Sequence, residues 1–128
     1  MKVLVLSNGE LQEREIENTL EELQKIVGGN IEFPFLGRVF AENEIDIIIN
    51  EDGKYIDGLK PEIAVMTESG NIYDVIYGNC IFASHDSVGN TIALTDKQIE
   101  VVTEKLKAVA ELAHRDTGER MTVKALFI

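Results

Sequence analysis

The sequence is poor in cysteine, in long apolar segments and in positive charge, and each shortage excludes a class of protein. Its 128 residues include a single cysteine, Cys80, which excludes an intramolecular disulfide and a zinc site built on cysteines. No apolar run approaches the roughly 20 residues that a membrane-spanning helix needs. The opening residues, MKVLVLSNG, hold too short an apolar run for a signal peptide. We therefore expect a cytoplasmic protein with no membrane segment.

Basic residues are outnumbered, since 12 Lys and Arg face 23 Asp and Glu, for a net charge of −11. The excess lies in the first half, because residues 1–74 carry 16 acidic and 6 basic side chains. Such a field opposes direct binding of nucleic acid, whose phosphates require Lys and Arg. It attracts a basic surface on another protein, but an acidic surface also serves simply to keep a protein in solution. The charge is thus explained first by a solvated surface that keeps the protein soluble, and a basic protein partner is the alternative explanation.

Length and composition predict one domain over residues 1–128. The hydrophobic fraction of 45% is ordinary for a globular protein. A chain of this size buries a substantial core without disulfides or metals. No internal repeat, low-complexity tract or linker divides it.

Residues 16–32, IENTLEELQKIVGGNIE, have the pattern of a short helix followed by a strand. Asn18 is a good N-cap because its side-chain oxygen accepts a bond from an unpaired backbone N–H of the first turn. Gly28 adopts the left-handed conformation readily, so we predict that the helix ends there. The apolar stripe at helical spacing consists of Leu20, Leu23 and Val27.

A second helix is predicted to begin at Thr95. Gln98 stands at the third helical position, where it completes a capping box with Thr95. The apolar stripe predicts a helix to about His114, followed by a strand-like tail at residues 121–128 that adds an edge strand or packs on the long helix. The stripe consists of Ile99, Val102, Leu106, Val109 and Ala113.

Strand patterns outnumber the helical ones and do not alternate with them. We therefore predict the α+β class, with a mainly antiparallel sheet and two helices packed on one of its faces. Gly78 is expected to be a bulge or bend, Asp52-Gly53 a tight hairpin turn, and residues 55–70 a loop with short extended pieces. The predicted strands cover residues 2–6, residues 44–50, residues 72–84 as one strand or two, and a candidate within residues 10–17.

Four segments, in this order and spacing, resemble a known family. They are NTLEELQKIVGGNIE, NEDGK, NIYDVIYGN and LTDKQIE, and over residues 1–106 they are similar to DUF3846, a domain of unknown function. The resemblance implies a small acidic protein of phages and mobile elements of Gram-positive bacteria. It implies this biological setting but no particular chemical reaction. Where many relatives have an Asn-Arg pair after Gly-Leu, this chain has Lys60-Pro61 after Gly58-Leu59.

Ser84-His85-Asp86 contains the residue types of a hydrolytic triad, but the three residues are adjacent. Neighbours on a strand point to opposite faces, whereas a triad needs side chains that converge. We therefore interpret the segment as a polar strand end, with His85 exposed and Asp86 capping a turn. A second histidine, His114, lies in a different predicted element, so no metal site is assigned and no cofactor is expected. The carboxylates that could serve a hard cation are Asp46, Asp52, Asp57 and Asp74.

The best candidate for a binding surface is the face of the strand over residues 72–84, with the loop that follows it. Its alternating polar and aromatic side chains are explained first by cross-strand pairing on a half-solvated sheet, and binding is the second interpretation. The candidate surface consists of Tyr73, Asp74, Tyr77, Asn79, His85 and Asp86.

Three hypotheses of function follow from the sequence. The preferred one is a non-enzymatic acidic module that docks on a basic protein, because no catalytic constellation is present. The second is a small enzyme that uses carboxylates on a nucleotide-like metabolite, for which a pocket gathering two carboxylates with His85 or Tyr73 would be needed. The third is a structural or oligomerising domain, and a dimer is among the oligomeric states left open.

Overall fold

Ten strands in two sheets form most of the structure, a computed structural model that describes residues 1–128. Three short helices and one 3₁₀ turn, Gly53–Tyr55, complete it. The helices are α1 (Leu20–Val27), α2 (Arg38–Glu42) and α3 (Asp96–Lys105). The strands are β1 (Lys2–Ser7), β2 (Glu10–Glu15), β3 (Ile31–Glu32), β4 (Ile45–Asn50), β5 (Pro61–Met66), β6 (Ile72–Tyr77), β7 (Cys80–His85), β8 (Thr91–Ile92), β9 (Val109–Ala113) and β10 (Arg120–Phe127).

The first sheet has the order β2-β1-β7-β4-β3, and β8 pairs with the end of β7. All of its pairs are antiparallel. Both of its faces are covered, because Leu4 and Leu6 of β1 join one buried cluster while Val3 and Val5 join another. Burial on both faces explains why β1 is a continuous apolar run rather than an alternating one.

The second sheet contains β6, β5, β10 and β9 in that order. It is mixed, since β5 and β10 run parallel whereas β5–β6 and β9–β10 are antiparallel pairs. Ile63 and Val65 of β5 join Leu4, Ile47 and Phe82 of the first sheet in the largest buried cluster. The main core therefore lies between the two sheets.

The predicted α+β architecture, with a mainly antiparallel sheet and two helices on one face, is wrong. The chain is 41% strand and 20% helix, its strands form two sheets, and it has three short helices. α1 packs through Leu23 and Ile26 on the face of the first sheet that carries Val3 and Val5. α3 buries Val102 on the opposite side, in the core between the sheets. An apolar stripe shows that a helix packs against something, but not which face of which sheet it covers.

The second predicted helix is too long, because α3 ends at Lys105 and the chain continues into β9. β9 pairs with β10 from Ala113 opposite Arg120 to Val109 opposite Lys124. The apolar residues of this short segment fit a period of two as well as a period of 3.6. Antiparallel pairing with the next strand, β10, decides between them.

The predicted loop at residues 55–70 is also wrong in part, because it contains the fully buried β5. Pro61 is the first residue of that strand, a position at which a missing N–H is tolerated. The tail at residues 121–128 falls largely in β10, which lies inside the second sheet between β5 and β9 rather than at its edge.

Two glycines mark where the chain passes between the sheets. Gly78 has a φ of 84° and separates β6 of the second sheet from β7 of the first, so the predicted bend is confirmed. The predicted turn at Asp52-Gly53 is confirmed, but it closes no hairpin, because β4 and β5 belong to different sheets. Gly53 is required for another reason, since a Cβ there would lie 2.8 Å from the carbonyl oxygen of Tyr77.

The helix ends follow local chemistry closely. The capping box of Thr95 and Gln98 is confirmed, as is the left-handed Gly28 after α1. The N-cap of α1 is Thr19 and not Asn18, because the Thr19 hydroxyl accepts from the backbone N–H of Glu22.

None of the helices combines the length and apolar composition needed to cross a bilayer. The single domain remains a prediction.

Candidate functional site

The six residues of the predicted binding surface do not share one face. Asp74 lies opposite the buried Val65 in the β5–β6 pair, whereas the neighbouring Tyr73 is 69% exposed. His85 and Asp86 follow in the other sheet, beyond the crossing at Gly78. The strand predicted over residues 72–84 is therefore two strands, and its candidate residues are distributed over several parts of the surface.

The hydrogen bonds of Asn79 and Asp86 give these two residues a structural role. The Asn79 amide donates to the carbonyl oxygen of Ile26 at 3.0 Å, which satisfies a carbonyl in the last turn of α1. The Asp86 carboxylate accepts from Asn90, through its side chain at 3.0 Å and its backbone at 2.9 Å, and from the backbone of Val88. These bonds, the Asn90 side chain first, hold the pKa of Asp86 below its usual value. The expectation that Asp86 caps a turn is confirmed.

Two clefts flank the segment 33–35, and Pro34 contributes to both. We call one the charged cleft; its volume is about 220 Å³ and its polar or aromatic lining includes Glu32, Lys54, Tyr55, Asp74 and Tyr77. We call the other the aromatic cleft; its volume is about 240 Å³ and its lining includes Phe33, Phe35, Phe40, Asp46 and His85. The structure thus divides Asp74 and Tyr77 from His85, and Tyr73 lines neither cleft.

In the charged cleft Lys54 is paired with Asp74, while Glu32 and Glu51 also line the wall. Lys54 Nζ lies 2.5 Å from Asp74 Oδ1, and this hydrogen bond raises the pKa of the Lys54 ammonium group. The Arg115 guanidinium lies 4.0 Å from the centre of the Tyr77 ring. It also donates to the carbonyl oxygens of Lys54 and Ile56. These contacts join the β9–β10 turn to the loop after β4, so they have a structural explanation.

The aromatic cleft exists because β3 is short. β3 pairs only with Ile49 and Asn50 of β4, so the first part of β4 has no strand on that side. Pro34 cannot donate to a ladder, and the chain leaves the sheet after β3. Phe33 and Phe35 remain 48% and 71% exposed, while the buried Phe40 of α2 packs edge-to-face on Phe82.

His85 and Asp46 meet in this cleft from neighbouring strands. His85 Nδ1 lies 2.9 Å from Asp46 Oδ2, with 37% of the histidine and 27% of the aspartate side chain exposed. A carboxylate only accepts, so a neutral His85 donates from Nδ1 and keeps Nε2 as an acceptor. The pair can therefore bind a polar group or exchange a proton with one.

No catalytic triad forms around this pair. Ser84 is buried, with its hydroxyl donating to the carbonyl oxygen of Glu44 and accepting from the Gln98 amide. Cys80 is buried, and burial raises the pKa of its thiol. No three of the His, Cys, Asp and Glu side chains converge as metal ligands.

The model of the family described as Domain of unknown function (DUF3846) matches residues 1–107. The chain belongs to this family. The predicted resemblance is thereby confirmed. The comparisons with curated proteins and with solved structures gave no significant match.

Both clefts of this DUF3846 protein are lined entirely by residues within the matched region. Strands β9 and β10 lie beyond it, as does Arg115. The predictions from the sequence did not include Phe33 and Phe35. Their signal was present as two aromatic residues around a proline, a segment that cannot continue a ladder. Asp46 was noted only as a possible cation ligand, because its pairing with His85 depends on β4 lying beside β7.

Proposed function

We propose that this DUF3846 protein is a non-enzymatic, acidic interaction module that acts in the cytoplasm. Its partner in this proposal is a protein that presents a basic, extended segment, and the segment binds along β2. The observation that carries the proposal is that β2 lies at an edge of the first sheet and is acidic.

The geometry of β2 favours the addition of a strand. All six of its residues pair with β1, from Ser7 opposite Glu10 to Lys2 opposite Glu15, and no strand pairs with its other side. An edge strand presents unpaired N–H and C=O groups there, and an extended peptide can satisfy them. Main-chain hydrogen bonds of this kind give affinity without requiring a preformed pocket.

The charge along this edge selects the partner. Residues 10–22 carry six acidic side chains and one basic side chain, Arg14. Five of the six carboxylates are exposed, namely those of Glu10, Glu13, Glu15, Glu17 and Glu21. Complementary charge raises association rates and suppresses the wrong partners. The phage or mobile-element setting is part of this proposal and rests on the resemblance alone.

The alternative functions have less support. An enzyme of the kind envisaged needs two carboxylates gathered with His85 or Tyr73, whereas Asp46 is the one carboxylate in the lining of the aromatic cleft. An oligomerising role is favoured by exposed apolar residues on the second sheet, such as Val109 and Phe127, and sedimentation of the purified protein tests it.

The test is an NMR titration with a peptide of alternating Lys and Val residues. A peptide of alternating Glu and Val residues, which has the opposite charge, is the negative control. We expect the Lys–Val peptide to shift the backbone amides of β2 at low salt and to bind more weakly as salt rises. The triple variant Glu10→Gln, Glu13→Gln, Glu15→Gln should weaken binding. The matched control Glu68→Gln, Glu100→Gln, Glu119→Gln changes the net charge equally at exposed sites elsewhere.

An equal loss in the two triple variants would reduce the effect to net charge and overturn the assignment to β2. Shifts that map away from β2 would do the same. Binding that does not change with salt would contradict the electrostatic part of the proposal.

A further inference from the structure

We propose that the aromatic cleft is a binding site for an arginine side chain presented by another protein. The guanidinium group would bind to the Asp46 carboxylate and against the rings of Phe33 and Phe35. The inference rests on the proposed function to the extent that a basic partner supplies the arginine. It names a second contact site, separate from β2, and the residue type that fills it.

The charges of the cleft favour a cation. Its lining contains no lysine and no arginine, and its only ionisable residues are Asp46 and His85. Asp46 forms no ion pair with a Lys or Arg, and His85 is its one side-chain partner, through Oδ2. The second carboxylate oxygen of Asp46, Oδ1, has no hydrogen-bond partner within the chain and is available to a ligand. In the charged cleft, by contrast, Lys54 already occupies Asp74.

Partial burial strengthens the attraction. The Asp46 side chain is 27% exposed and stands beside apolar residues of α2 and β4. Coulombic interactions grow as the local dielectric constant falls, so a cation gains more here than beside a fully exposed carboxylate. The carboxylates of β2 lack this advantage, because they are exposed.

The aromatic walls favour arginine over lysine. The faces of aromatic rings attract cations, and the planar guanidinium also stacks on them. Phe33 and Phe35 are largely exposed, so they can contact a group that enters from outside. The chain already uses this interaction internally, where the Arg115 guanidinium lies 4.0 Å from the centre of the Tyr77 ring.

The size of the cleft favours a single side chain over a metabolite. Its volume of about 240 Å³ lies below the roughly 300–1,000 Å³ of typical small-molecule sites. A nucleotide-sized ligand would therefore extend well outside it. Arginine is also among the residue types that are enriched as anchors in protein interfaces.

The test uses Nα-acetyl-arginine methylamide as the probe, followed by NMR of backbone amides and aromatic rings. Nα-acetyl-citrulline methylamide has the same shape without the charge, and Nα-acetyl-lysine methylamide has the charge without the planar group. We expect the arginine probe to shift the signals of Phe33, Phe35 and His85, the lysine probe to act more weakly, and the citrulline probe to act least.

Two variants locate the interaction. Asp46→Asn keeps an acceptor oxygen for His85 and removes the charge, and Phe35→Leu removes an exposed ring. Asp46→Asn should lower the affinity for the arginine probe by roughly fivefold or more, and Phe35→Leu by roughly three- to fivefold, as expected when a carboxylate or an exposed aromatic face is lost. The matched controls are Asp57→Asn and Tyr73→Leu, which change exposed residues outside the cleft and should leave the affinity within about twofold.

The proposal is overturned if citrulline shifts the same signals equally, if the shifts map to β2, or if Asp46→Asn matches Asp57→Asn. The dispersion of each variant's amide spectrum verifies that it is folded. Failure here is distinguishable from failure of the proposed function, because the Lys–Val peptide contains no arginine. If the Lys–Val peptide does not bind at β2 but the arginine probe still binds, only the proposed docking site on β2 is refuted. If the peptide binds at β2 but the arginine probe does not bind, only the proposed arginine site in the aromatic cleft is refuted.

Discussion

Individual buried polar residues hold turns and helix ends that apolar packing leaves without partners. The two-residue turn between β1 and β2, Asn8-Gly9, has positive φ at both positions, as a tight hairpin of this type requires. Its backbone N–H groups donate to the buried Glu62 carboxylate of β5, at 3.0 Å from Asn8 and 2.9 Å from Gly9. One glutamate thereby joins a hairpin of the first sheet to a central strand of the second.

Glu62 should make stability depend on pH in a defined direction. Burial raises the pKa of Glu62 above the ordinary value of 4.5, and the bonds from Gly9 and Asn8 only partly oppose this. The folded protein therefore retains a proton at Glu62 that the unfolded chain has already lost. By linkage, this site lowers the free energy of unfolding as pH rises from the ordinary pKa through the raised one, and the site is most stabilising below both.

The measurement is urea unfolding of the wild type and of Glu62→Gln at a series of pH values. We expect the stability of the wild type relative to the variant to fall as pH rises from acid toward neutral. The exposed control Glu68→Gln should show no such trend. If the stability of the wild type relative to Glu62→Gln instead rises with pH, the assignment is contradicted.

Asn79 should act on stability and not on binding. Asn79→Ala removes the hydrogen bond to the carbonyl oxygen of Ile26, so we expect a loss of about 1 kcal/mol in the free energy of unfolding. Asn71→Ala is the control, since its amide bonds to Ser69 in an exposed turn. Chemical denaturation gives both values. An unchanged stability together with altered peptide binding would restore Asn79 to the binding surface predicted from the sequence.

Among the secondary-structure elements, α1 has an extent set by local sequence signals and an N-terminal neighbour, Asn18, engaged in a tertiary contact. The sequence predicts its extent almost correctly, because Gly28 and the apolar stripe are local features. The position of its N-cap differs by one residue. Asn18 instead donates its side-chain amide to the carbonyl oxygen of Thr91 at 2.9 Å, so a contact from another part of the chain occupies it.

Alanine substitutions distinguish the N-cap role of Thr19 from the tertiary hydrogen bond of Asn18. Thr19→Ala removes the hydroxyl that accepts from Glu22 N–H, and we expect it to lower the free energy of unfolding by about 1 kcal/mol. Asn18→Ala loses only an exposed hydrogen bond and should cost less. Urea denaturation of both variants measures the difference. A larger cost for Asn18→Ala would identify Asn18 as the true N-cap.

Other elements were predicted less well, for physical reasons. β1, β4 and the division of residues 72–84 followed from apolar patterns and from Gly78. β5 and β9 were missed, because one begins with a proline and the other fits a helical period. Of the two sites, the acidity of β2 was visible in the composition, whereas the aromatic cleft was not. Its walls come from the segment after β3, from α2, and from the ends of β4 and β7.

At the scale of the whole molecule, the net charge of −11 should make the folded state sensitive to salt. Self-repulsion among carboxylates destabilises a compact state, and the Debye length falls from roughly 30 Å at 0.01 M salt to about 3 Å at 1 M. We therefore expect the urea midpoint to rise when sodium chloride increases from about 0.02 M to about 0.5 M.

The triple variant Glu68→Gln, Glu100→Gln, Glu119→Gln carries less negative charge and should gain less from the same increase in salt. Equal gains would indicate a general effect of salt on apolar burial. A fall in stability with salt would show that ion pairs such as Lys2–Asp96 outweigh the repulsion.

The sequence by itself determined the features that are local or additive: the acidity, the Asn8-Gly9 turn, the caps at Thr95 and Gly28, and the membership in DUF3846. The tertiary structure alone decided that β10 lies parallel to β5 inside a second sheet, that α1 and α3 cover opposite faces, and that Asp46 meets His85. The physical reason is the same in each case. A residue's neighbours along the chain set its backbone conformation and the face on which its side chain lies, whereas the choice of pairing partner depends on packing between segments that are distant in the sequence.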